Sequence, residues 1–182
     1  MANYIPLITT IVALTFTILL LWQFLNRRKI HQVIWTIAMA LFAIAALMEF
    51  LANPDILGAS GTLIKIYYAS AAPLVGLLGS GMLYLLVPRK IAHIYLGIVI
   101  MLALALLVGV LSTHLSEVTI SEAFQLSLPE GFRGAVRLFP FLTARLPSIL
   151  LNITGGILLI GGALFSFITD MRKTYNIPLM MG

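Results

Sequence analysis

Two charged side chains, Glu49 and Lys65, lie inside long apolar stretches. A charge held in hydrocarbon is costly, so it is paired or functional. Glu49 sits near the end of one stretch and Lys65 near the start of the next. At the helical rise of 1.5 Å per residue both lie roughly 5 Å deep at the same end. On adjacent antiparallel helices the two can meet as an intramembrane ion pair. Lys65 can instead snorkel to the interface. The chemistry open to such a site is that of a small-molecule or ion carrier, or of a membrane sensor. His31 begins the stretch that carries Glu49, and His93 begins a later one, at the same level. Two histidines so placed suit ligation of a b-type haem between helices. Each also neighbours a basic cluster, which favours an interfacial place. Trp22, Trp35, Tyr84 and Tyr95 gather at that same end, and Tyr67 and Tyr68 near the other, as aromatic belts do. A quinone or a pigment could stack on rings of this kind, although no motif indicates one.

The residues carry no P-loop, HExxH, GxSxG or cysteine cluster, so the expectation is a non-enzyme without a metal. A retinal-type pump is excluded because no lysine lies within the last two apolar stretches.

The elements that must position these residues follow from composition. The chain of 182 residues is 61% hydrophobic and 9% charged, with 11 Lys+Arg, 6 Asp+Glu and no cysteine. Soluble domains are about 25% charged, so a soluble globule, a disordered chain and a disulfide scaffold are all excluded. Five stretches reach the roughly 20 residues needed to cross hydrocarbon, at 4–25, 30–52, 61–87, 91–112 and 146–169. Only Glu49 and Lys65 carry charge within them. An all-α transmembrane bundle of five spans, forming one membrane domain, is therefore expected, since each span must satisfy its own backbone. Arg27, Arg28, Lys29, Arg89, Lys90, Arg172 and Lys173 mark one side. By the positive-inside rule the N-terminus is outside and the C-terminus cytoplasmic, in a cell membrane. The formal charge of +5 thus reports topology and anionic headgroups, and no nucleic-acid partner is implied.

The 113–145 loop is the one long connection. Thr119 and Glu122 read as a capping box. Phe132, Val136 and Phe139 recur at helical spacing, with Arg133 and Arg137 on another face, which predicts an amphipathic interfacial helix ended or kinked by Pro140. Small residues mark helix contacts in lipid. In span five these are Ser148, Asn152, Gly155 or Gly156, Gly162 or Ala163, and Ser166; in span three they are Gly76, Gly79 and Ser80, with a kink at Pro73. Span one carries Thr9, Ala13 and Thr17 in one row. Such faces suit a non-catalytic membrane subunit packing against other membrane proteins or a second copy of itself.

Several strings together resemble a family of small prokaryotic polytopic membrane proteins: Arg27-Arg28-Lys29 with His31-Gln32 and Trp35, Glu49, Tyr67-Tyr68, Gly79-x-Gly81-x-x-Tyr84, and Gly161-Gly162-Ala163-Leu164-Phe165-Ser166. The layout is also loosely similar to the membrane sensor regions in front of some histidine kinases. The resemblance implies a helical polytopic fold with an outside N-terminus and brings no activity with it. Members of the family look seven-helical, and Pro178 to Gly182 reads like the first turn of another span.

Overall fold

A computed structural model describes residues 4–115 and 138–176, with the side chains of 169–176 left aside. The described residues are helical, with no strand. The elements are α1 (Ile5–Arg27), α2 (Ile30–Leu51), α3 (Gly61–Ala71), α4 (Leu74–Leu86), α5 (Arg89–Ser112), a π-helical turn (Phe141–Arg145) and α6 (Leu146–Asn176). Among the described residues five helical segments are long and apolar enough to cross a membrane, with α3 and α4 counting together and the π turn leading into α6. This is the architecture of a multi-pass integral membrane protein.

The boundaries follow local chemistry. Pro6 lies in the first turn of α1, where a missing N–H is harmless. Arg28 closes α1 in a left-handed conformation at φ 48°, its N–H bonding the Phe24 carbonyl. That allows a two-residue link to α2. Ser60 caps α3, accepting a hydrogen bond from the Leu63 N–H. Pro73 has no N–H to continue the ladder, so the third span is two helices meeting at a break. The fifth helical run starts at Phe141, ahead of the expected 146, because Pro140 opens a π turn there. Within the helices, Thr10, Thr17, Thr36, Ser70 and Ser80 return their hydroxyls to carbonyls four residues back. Hydroxyls in apolar spans are thereby satisfied without a partner helix.

Helix α1 packs chiefly along α2, α2 lies on α3 and α4, and α4 lies on α6 and α5. The third span is thus the centre of the bundle, and its helices carry the buried Ile64, Tyr68, Ser70, Gly76, Gly79, Ser80 and Leu83. The outer faces are apolar, as a lipid-facing surface requires: Ile8, Trp22, Ile94, Met101 and Ile160 are all exposed.

Candidate functional site

At the α4–α6 seam two helix backbones come into direct contact. A methyl group on Gly79 would lie 2.7 Å from the Gly155 Cα, and one on Gly155 would overlap the Val75 carbonyl. Gly76 receives the Leu151 side chain, and Gly162 receives Met82 and Leu86. The inward face of α6 is therefore Leu151, Gly155 and Gly162. Asn152 adds a polar tie, donating to the Ser148 carbonyl at 2.8 Å and to the Ala72 carbonyl, beside the Pro73 break, at 3.4 Å. Of the two registers legible in α6, the bundle uses Gly155 with Gly162. Gly156, Ala163 and Ser166 fall outside it: a methyl group on Gly156 would meet nothing within 4 Å, and Ala163 and Ser166 are exposed.

Glu49 and Lys65 turn toward different neighbours. The Lys65 ammonium donates to the Leu111 carbonyl at 3.3 Å, in the last turn of α5. Helix C-terminal carbonyls lack intrahelical donors and attract a cation. Glu49 borders a cavity of about 280 Å³ together with Pro6, Thr9, Phe42 and Tyr67, and Lys65 is not part of its wall. The rotation of α3 is set by Ile64 and Tyr68, which are both buried. Lys65, about 100° further round, is carried to α5.

Near the Lys65 end, Tyr68 and Phe139 stack at 4.6 Å with 9° between rings, and the Tyr68 hydroxyl donates to the Ala144 carbonyl at 3.4 Å. Phe139 is 3% exposed, so it packs in the core of the bundle. Pro140 and the π turn bring the chain back over α5, where Gly109 leaves room for the Thr143 backbone. Phe132, Arg133, Val136 and Arg137, like Thr119, Glu122 and the stretch from Pro178 to Gly182, lie outside the described residues.

At the opposite end, His31 meets Trp35 edge-on at 5.4 Å, and His93 meets Tyr84 at 5.2 Å. Each imidazole is thus engaged by its own aromatic neighbour. Among the described residues no group of three or more His, Cys, Asp or Glu could hold a metal ion. Trp35 is tied to α4: its indole N–H donates to the Leu78 carbonyl at 3.2 Å, in a space that Gly81 leaves empty. Glycine at 81 was the signal available for this contact. Tyr95 ties α5 to α6 through the Thr154 hydroxyl at 3.0 Å.

Two adjoining pockets lie between α2 and α5. One is an apolar groove of about 620 Å³ walled by α2 and α5, with the Pro73 break and Leu77 between them. The other, of about 510 Å³, is lined by Arg27, Arg28, Lys29, His31, Tyr84 and Arg89. Ile30 borders both. The Tyr84 hydroxyl is buried without a hydrogen-bond partner among the described residues, and so is the Gln32 side-chain carbonyl. Composition marked these basic residues as topology signals; that two distant links converge on one pocket is a tertiary fact.

Comparison with family models, curated proteins and solved structures finds no match for this chain.

Proposed function

We propose that the chain is a non-catalytic subunit of a cell membrane, with its basic helix ends in the cytoplasm, that associates laterally with another membrane protein or with a second copy of itself. The observation carrying this reading is the outward face of α6. Ile149, Ile153, Gly156, Ile160, Ala163 and Phe167 follow one another at alternating steps of four and three residues. That is the seam spacing of a helix pair. Ile149, Ile153, Ile160 and Phe167 are exposed, and the space over Gly156 is open. Small residues between large ones let a second backbone approach, which is the main source of helix association in lipid. Within the bundle α6 already uses this device through Gly155, and the same helix offers it a second time on its free side.

A carrier centred jointly on Glu49 and Lys65 is less well supported, because Lys65 is engaged by α5. A haem between His31 and His93 is less well supported too, because each ring packs on an aromatic side chain. Gentle detergent extraction from native membranes is expected to bring the chain down as an assembly. A monodisperse monomer without a co-purifying protein contradicts the proposal.

A further inference from the structure

We propose that the α2–α5 groove and the basic pocket above it form one binding site for a phospholipid with an anionic headgroup. This inference is independent of the α6 face. The groove is walled by α2 from Ile30 to Leu41 and by α5 from Leu96 to Leu107. At 1.5 Å per residue each wall is roughly 16 Å long, and the α5 wall begins roughly 10 Å further from the basic helix ends than the α2 wall. Both helices lie on α4 and leave the groove open on its outer side, where Ile37, Ile100 and Leu104 are exposed. An acyl chain can enter it sideways from the bilayer without crossing polar surface.

The chemistry changes where the groove ends. Ile30 is the shared wall, and beyond it Arg27, Arg28, Lys29 and Arg89 bring four formal positive charges around a space of about 510 Å³ with no acidic residue in its lining. The left-handed turn at Arg28 is the only described non-glycine residue with positive φ, and it places three basic residues in succession at the start of α2. The α2 N-terminus has no side-chain cap, so its N–H groups add positive potential to the same place. Tyr84 lines the pocket with a buried hydroxyl that lacks a partner among the described residues, and a phosphate oxygen is the acceptor it would satisfy. An apolar slot that begins at Ile30, where a cationic pocket at headgroup level adjoins it, is complementary to a single amphiphile that is apolar below and anionic above. Basic pockets between membrane helices are suited to anionic headgroups for this reason.

The phosphate-bearing ligand has two sources, a lipid or free phosphate, and the test separates them. The full chain is placed in phosphatidylcholine nanodiscs. Phosphatidylglycerol is titrated in, and bound lipid is counted by native mass spectrometry after ejection. The expected result is retention of phosphatidylglycerol over phosphatidylcholine. Arg28→Gln with Arg89→Gln should weaken that retention roughly thirtyfold, from about five- to sixfold per cationic side chain. Ala103→Phe, which fills the groove at a half-buried position, should abolish it while leaving the basic pocket intact. Inorganic phosphate added alone should neither bind nor compete. Equal retention of the two lipids, unchanged retention in either variant, or full competition by inorganic phosphate would each overturn the proposal.

Discussion

Replacing Gly155 by alanine should loosen the bundle, while the same change one residue later should not. A Cβ on Gly155 would overlap the carbonyl of Val75 and lie 2.7 Å from the Gly76 nitrogen. Both contacts are backbone, so no side chain can rotate away and α4 and α6 must move apart. Overpacking of a well-filled interior costs about 1–3 kcal/mol, and backbone against backbone belongs at the upper end. Alanine returns about 1 kcal/mol through its better helix propensity. The net loss for Gly155→Ala is then about 2 kcal/mol. At Gly156 the added methyl meets nothing within 4 Å. Gly156→Ala therefore keeps the propensity gain, up to about 1 kcal/mol. The gap of about 3 kcal/mol corresponds to roughly 6–12 °C in Tm for a chain of this size. Thermal unfolding of the two full-length variants as monomers, in a detergent that dissociates any assembly, followed by far-ultraviolet circular dichroism, measures it. Equal Tm values, or a lower value for Gly156→Ala, would refute the assignment of the α4–α6 seam.

Two further variants probe the ends of the bundle. Gly81→Ala should displace the Trp35 indole and break its bond to the Leu78 carbonyl. In a Trp22→Phe background, exchange of the remaining indole N–H should accelerate about tenfold, as expected for loss of about one net hydrogen bond; an unchanged rate would mean that the ring does not occupy the space over Gly81. Phe139→Ala should remove a buried ring stacked on Tyr68 and cost about 3 kcal/mol. A Tm within a degree of the parent would instead return Phe139 to the surface.

The spans were legible because charge segregates so completely: a helix in lipid tolerates almost no ionised side chain, and Glu49 and Lys65 are the sole departures within the stretches read from sequence. The break at Pro73 was legible for a covalent reason, the missing N–H. Azimuth was not legible. Gly155 and Gly156 each have a small partner seven residues on, and only the arrival of α4 decides which pair is inside. The same uncertainty governs Lys65, whose depth followed from the rise per residue but whose direction depended on Ile64 and Tyr68 being drawn to the core. Phe139 shared a helical spacing with Phe132 and Val136, yet Pro140 redirects the chain so that the ring meets Tyr68. The convergence of Arg27, Arg28 and Lys29 with Arg89 required the packing of α2 and α5 on α4.

The most direct test of lateral association is photocross-linking in native membranes. A photoreactive amino acid replaces Ile160, on the outward α6 stripe, or Met101, which is equally lipid-exposed on α5. Position 160 should give a protein adduct of one defined mass and position 101 none. An adduct of twice the chain mass identifies a second copy, and any other single mass identifies a different subunit. No protein adduct from position 160, or the same adducts from both positions, would contradict lateral association.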